Sequence, residues 1–282
     1  MGQGEEKVSS LRGWGDVPMR DFSNSPNKDF AIEIKDLSLV IEGRQILKDV
    51  TFNVREGEIF TILGGSGSGK TTITKCIVSL LKPTSGQIKV FGKDITALSS
   101  TELNELRKNI GYVFQGAALF DSLRVWENVV FYYLERLRIK EEDLKNIALK
   151  YLKMVGLGEE TLELYPSELS GGMKKRVGIA RAIATEPKLI IYDEPTSGLD
   201  PITSRLIDKL IVDLRDKTLS TALVVSHDMV SAFSISDRIM IIKDGQVVFI
   251  GTPREVLTYE DKFVREFLKS GLGELQKTNK GS

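Results

Sequence analysis

The stretch GGSGSGKTT, Gly64 to Thr72, narrows what this chain can fold into more than any other part of it. It lies between EIFTIL, a short apolar run, and TTITKCIVSLL, whose apolar residues recur at helical spacing. Gly64, four residues, then Gly69, Lys70 and Thr71 make the spacing of a phosphate loop. Its glycines let consecutive backbone N–H groups converge on a phosphate, which also meets the positive end of the helix dipole. Gly64, Gly65, Ser66, Gly67, Ser68, Gly69, Lys70, Thr71 and Thr72 are therefore the candidate nucleotide cradle. Lys70 would neutralise the β- and γ-phosphates of ATP, and the Thr71 hydroxyl would ligate Mg²⁺.

A strand–loop–helix unit of this kind belongs in a parallel sheet, and the remaining pattern agrees. KLIIYDE and STALVVSHD are continuous apolar runs, the signature of strands covered on both faces. AIEIKDLSLVI, ILKDVTFNV and SGQIKVFG read as strands, and IGYVF as a strand ending at Gln115. The helical run after the phosphate loop is expected to stop at Pro83, and Ser99 with Glu102 has the spacing of a capping box. PITSRLIDKLIVDLRDK reads as an amphipathic helix, and RIMIIKDGQVVFIG as a hairpin turning at Asp244-Gly245. Strands alternating with helices predict an α/β fold, a P-loop NTPase with a mainly parallel core sheet, an antiparallel arm and an inserted α-helical lobe. The expected divisions are a flexible leader over 1–29, a nucleotide-binding domain over 30–251 with its helical lobe at about 115–185, and a C-terminal helical extension over 252–282. In that extension Val264, Phe267 and Leu268 share a helical stripe suited to packing on the main domain or a second copy, with the main domain favoured.

Lys plus Arg and Asp plus Glu number 39 each, so the formal charge is zero and broad electrostatic capture of nucleic acid or acidic membrane is disfavoured. The one cysteine, Cys76, cannot close an internal disulfide and falls in an apolar helical run, which predicts a buried inert thiol. Neither a membrane-spanning apolar run nor the apolar region of a secretion signal is read in the sequence, so a membrane role requires a partner.

LIIYDE ends in Asp193 and Glu194, and ligands bind at the carboxyl ends of strands in such sheets. Asp193 suits Mg²⁺, and Glu194 suits polarisation of the water that attacks the γ-phosphate. His227, the only histidine, follows TALVVS, where an imidazole N–H can reach the same phosphate. Gln115 can offer its amide to Mg²⁺ and the attacking water. Four strand ends thus aim polar groups at one place.

A second serine-and-glycine loop, LSGGM, opens another helix, GGMKKRVGIARAIATE. Ser170, Gly171 and Gly172 form a further anion site by the same physics. A whole helical lobe separates it from the first loop, so the simplest arrangement is a head-to-tail homodimer. Each copy then caps the nucleotide held by the other, with Asp200 of SGLD in the seam.

The ordered set GGSGSGKTT, Gln115, LSGGM, LIIYDE, SGLD and His227 resembles the ATPase subunit of ABC transporters over residues from about 30 to 250. VFQGAALFDSLRVWENV, YPSELSGGM and LDPIT, with Met173 where most of that family has glutamine, resemble its Mla-type branch. The resemblance implies Walker A at Gly64 to Thr72, the Walker B aspartate at Asp193, the catalytic base at Glu194, the Q-loop at Gln115 and the switch histidine at His227. It also implies an inner-membrane permease holding the subunit at the cytoplasmic face, an MCE-domain partner, and phospholipid transport between inner and outer membranes. Another cargo (an amino acid, a metal or a drug), a soluble ABC ATPase, and a nucleotide-binding regulator without turnover remain the alternatives. LVIEGRQ departs from the family in lacking the aromatic on which adenine stacks, leaving Ile41 to supply an apolar contact. The apolar stretch after Gln115, including Leu119 and Phe120, is expected to contribute a groove for a cytoplasmic helix of the permease.

Overall fold

The computed structural model describes residues 29–134 and 139–278, with side chains as far as 270. The expected leader, apart from its last residue, lies outside the described residues. The described residues open with two long strands, β1 (Phe30–Ile41) and β2 (Arg44–Arg55), followed by β3 (Ile59–Leu63) and the phosphate loop. After α1 (Lys70–Ile77) come β4 (Ser85–Val90), β5 (Lys93–Asp94), α2 (Ser100–Arg107) and β6 (Ile110–Val113). A helical section contains α3 (Val125–Val129), α4 (Phe131–Leu134), α5 (Glu141–Met154) and α6 (Gly171–Ile183). The core resumes with β7 (Leu189–Asp193), α7 (Pro201–Thr218), β8 (Thr221–Ser226), α8 (Met229–Ile235), β9 (Arg238–Lys243) and β10 (Gln246–Gly251). Two helices, α9 (Pro253–Thr258) and α10 (Lys262–Thr278), end it.

The strands form two sheets. The larger has the order β10-β9-β3-β8-β7-β6, in which all neighbours run parallel except the β9–β10 hairpin. The smaller, β2-β1-β4-β5, is antiparallel throughout. Every residue of β3, β7 and β8 is buried, as their unbroken apolar runs require. One core cluster joins that sheet to α3, α5, α6 and α7, and another joins it to α1 and the antiparallel arm. Because β3, β8, β7 and β6 are parallel and adjacent, their carboxyl ends lie along one edge. That edge receives the phosphate loop, His227, Asp193–Glu194 and Gln115.

Local signals explain several boundaries. The Ser99–Glu102 capping box forms as its spacing predicts. Asp244 and Gly245 take φ of 48° and 74°, the left-handed pair of a tight primed turn. The first helix ends earlier than Pro83 suggests. Ser79 adopts φ 54°, Leu80 N–H bonds back to Lys75 O at 2.8 Å, and Arg107 takes the freed carbonyls of Val78 and Ser79. This is the wrapped six-to-one closure of a helix C-terminus. Cys76 is fully buried and its thiol is pushed up to about 11, so it stays protonated. Val264 and Leu268 are buried with α8 and β9–β10, and Phe267 packs against them.

Candidate functional site

The phosphate loop is held open from below. Gly64 has no room for a side chain, since a Cβ there would lie 2.5 Å from Ile242 O. Gly69 combines φ 104° with an approach that would put a Cβ 2.7 Å from Leu47. That contact seats the β1–β2 hairpin, with Ile41 exposed near its tip, beside the start of α1. Gly65, Ser66 and Gly67 form the exposed lip, while Ser68 is buried with an Oγ that finds no hydrogen-bond partner among the described residues. Such an orphan in a built cradle matches an acceptor or donor supplied by a ligand.

Lys70 reaches back over the loop and donates to the carbonyls of Gly64 and Gly65 at 2.9 Å each. Its ammonium stands 3.6 Å from Glu194 Oε1. Burial holds its pKa below the ordinary lysine value, with Glu194 opposing that shift. Thr71 donates to Asp193 at 2.9 Å, and the Tyr112 hydroxyl, itself paired with Thr74, donates to the other Asp193 oxygen at 3.2 Å. A hydroxyl and a carboxylate side by side are the hard oxygen donors Mg²⁺ takes. The residues therefore fit the ion.

Glu194 follows directly, turned out of the strand by φ 49°, and its Oε2 lies 2.7 Å from His227 Nδ1. A carboxylate only accepts, so Nδ1 carries the hydrogen and the imidazole N–H is spent on Glu194. Presenting an N–H to a phosphate requires His227 to turn or take a second proton. Gln115 is exposed, and its amide donates to Ser197 Oγ at 3.3 Å. No hydrogen bond among the described residues brings that amide to the Thr71–Asp193 pair, so the expected metal trio is assembled as two of three.

The second loop is built as a helix start. Ser170 caps α6 by accepting from Met173 N–H at 3.3 Å, and Ser170 and Gly171 are exposed. Gly172 lies against α7, where a Cβ would meet Thr203 at 2.7 Å, and Gly171 lies near Leu199. Asp200 is on the same surface. It caps α7 through the N–H groups of Ile202 and Thr203 at 3.0 Å each, and the Thr203 hydroxyl, followed by these backbone bonds, holds its carboxyl below the usual range.

The family model described as ABC transporter matches residues 47–197, more than half of the chain. The chain belongs to the ABC transporter family. MlaF of Haemophilus influenzae, an intermembrane phospholipid transport system ATP-binding protein, is 42% identical over 238 residues, covering 84% of this chain and 90% of MlaF. Mkl of Mycobacterium leprae, a probable ribonucleotide transport ATP-binding protein, is 38% identical over 262 residues, covering 93% of this chain and 72% of Mkl. A dimeric ATP-binding cassette solved in a post-hydrolysis state with ADP and Pi is 35% identical with a TM-score of 0.72, covering 79% of this chain and 99% of that one. As an ABC ATPase this chain binds ATP with Mg²⁺ and hydrolyses it. Subunits of the family dimerise and work with a membrane permease. No helix among the described residues is long and apolar enough to cross a membrane.

Some of the site was not apparent in sequence. Tyr112, which steadies Asp193, is one aromatic in a short strand. Lys175 lies in a run of basic residues in α6 and is buried, donating to Gln115 O and to Glu194 O, the latter at 3.1 Å. No local signal distinguishes it from Lys174. The apolar stretch after Gln115 divides: Ala117, Val125 and Trp126 are core, Leu119 packs on the core, and Phe120 is 43% exposed.

Proposed function

We propose that this ABC ATPase subunit powers the movement of phospholipid between inner and outer membranes, held at the cytoplasmic face of the inner membrane by a permease and working with an MCE-domain protein. For the chemistry, the observation that carries the reading is the convergence of Lys70, Asp193, Glu194 and His227 at adjacent strand ends. Thr71 and Asp193, joined by Gln115, would hold Mg²⁺, where the ion would neutralise charge on the β- and γ-phosphates. Glu194 accepts the proton of the water that attacks the γ-phosphorus. Before nucleotide arrives, Lys70 and His227 both occupy that carboxylate. A γ-phosphate carries more charge than one carboxylate and draws Lys70 toward itself, leaving Glu194 free to act as base.

In the working pair each copy lays Ser170, Gly171 and Gly172 over the γ-phosphate in the other's phosphate loop, with Asp200 in the seam and Ile41 against the adenine. The placement of the second loop on the same surface as Asp200 supports this. Phe120 and its neighbours receive a cytoplasmic helix of the permease, and dimer closure moves it as a rigid body.

Met173 and the similarity to MlaF support the lipid cargo. The similarity to Mkl, which spans more of this chain, favours a different cargo. Purification of the intact complex from membranes separates the readings: co-purifying phospholipid and an MCE-domain subunit are expected. A complex carrying a solute-binding protein for nucleotides, amino acids or metals, and no bound lipid, removes the phospholipid assignment.

A further inference from the structure

The turn after Gln115 is strained and gripped from one side. Ala117 and Ala118 take φ of 61° and 46°, two successive left-handed residues that are not glycine. Such a turn persists only when its surroundings over-determine it. Here the grip comes from α6. Arg181 donates to the carbonyls of Ala118 and Ala117 through its two terminal nitrogens, at 2.7 Å each. Gly178 lets the turn lie directly on the helix, with the Ala117 Cβ 3.2 Å from where its own would be. Lys175 takes the carbonyl of Gln115 and, with the same ammonium, that of Glu194. Positions 175, 178 and 181 fall on one face of α6 by helical spacing.

Lys175 is a costly residue to use as a brace. Burial disfavours its charge, and the charges of Glu194 and Asp193 sustain it. A neutral side chain would fill the same space with less penalty. What the ammonium adds is a tie between the peptide of the proposed base and the peptide of Gln115, anchored on the helix whose first turn is the second loop.

We propose that Lys175 and Arg181 are positioning residues that fasten the 115–118 turn, and through Lys175 the Glu194 peptide, to α6, so that whatever engages Ser170 moves the base and the permease-facing turn as one body. Lys175 sets the base, and Arg181 holds the part of the turn that leads to Phe120. This rests on the proposed roles of Glu194 and of the second loop, and goes beyond them by naming the link inside the subunit.

The test uses Lys175→Met, Lys175→Arg, Arg181→Met and Arg181→Lys, each as the isolated subunit and in the permease complex reconstituted in phospholipid vesicles. Lys175→Met should lower kcat for ATP about tenfold or more with KM within about twofold, because no nucleotide contact is lost, while Lys175→Arg keeps at least a third of wild-type kcat. Arg181→Met should keep basal turnover within about twofold and lose most of the stimulation by the permease, with Arg181→Lys intermediate. Wild-type kcat in Lys175→Met, or wild-type stimulation in Arg181→Met, overturns the proposal. So does a fall in kcat that Lys175→Arg shares in full, or one matched by a rise in KM, since either marks a general loss of structure. If a methionine variant does not fold, the Lys175→Arg and Arg181→Lys pair decides: at least about a third of wild-type kcat in the first with reduced stimulation in the second supports the clamp, and any other pattern overturns it. Normal turnover by Glu194→Gln would instead remove Glu194 as base and leave the Lys175 and Arg181 results standing.

Discussion

Glu194 is held where a non-glycine residue does not rest freely. Its φ of 49° costs on the order of 1 kcal/mol. The gain is direction: the carboxylate leaves the line of β7 and meets Lys70 and His227 instead of continuing along the strand. Glutamine in its place keeps an acceptor for His227 but has no basicity for water. Glu194→Gln should therefore bind ATP and cleave it at least about 100-fold more slowly, the loss expected for a general base. ATP should also shift this variant toward a dimer in size-exclusion chromatography. Rapid phosphate release by the purified variant would contradict the assignment. At this scale the sequence revealed residues whose chemistry depends on neighbours along the chain, such as Gly64 to Thr72 or Asp193 next to Glu194. It did not reveal those defined by distant partners. Lys175 meets a carbonyl 60 residues away, and Tyr112 a carboxylate 81 away, with nothing in either local pattern to mark them.

The same division holds between elements. Continuous apolar runs located β7 and β8, and Asp244-Gly245 located the β9–β10 turn, because each is a local preference. How α7 meets α8 was not legible, since the contact is a buried polar pair. Ser231 on α8 donates to Asp208 on α7 at 2.5 Å, and burial pushes the Asp208 carboxyl up to about 6, with Asp228 adding to the rise. The folded state thus keeps a proton that the unfolded chain releases between roughly pH 4 and 6, so stability declines as pH rises through that window and the penalty is complete above it. Asn in place of Asp208 still accepts from Ser231 and carries no charge. Asp208→Asn should be more stable than wild type at pH 7.5 by on the order of 2 kcal/mol, with most of the difference gone by pH 4.5. Urea unfolding at the two pH values measures it, and an advantage that is equal at both contradicts the account. On the permease side, Leu119 is too involved in the core to report on docking, whereas Phe120 leans on Phe131 at the surface. Phe120→Asp should leave basal ATP turnover within about twofold and abolish permease stimulation, as expected when an apolar contact at the centre of an interface is lost. Stimulation that survives in a reconstituted complex places the groove elsewhere.

For the whole molecule, the question is whether one chain holds a complete site. Its phosphate loop faces one edge of the sheet, while Ser170 starts a helix of the helical section, and Asp200 shares a surface with that start. In the proposed two-fold pairing each site would be made from the first loop of one copy and the second loop of the other. A mixture of two inactive variants distinguishes this from sites complete within a chain. Lys70→Ala disables the first loop, and Ser170→Glu places a negative charge where the second should meet phosphate. Each homodimer then has two defective sites. In the mixed dimer, one site combines both defects and the other combines two intact loops. Random pairing makes half the dimers mixed, with one good site in two, so turnover should recover to about a quarter of wild type if the two sites act independently. If each chain encloses its own nucleotide, every subunit in the mixture stays defective and no turnover returns. Recovery should also depend on protein concentration, vanishing on dilution below the dimer dissociation constant, because the intact site exists only while the two copies are together.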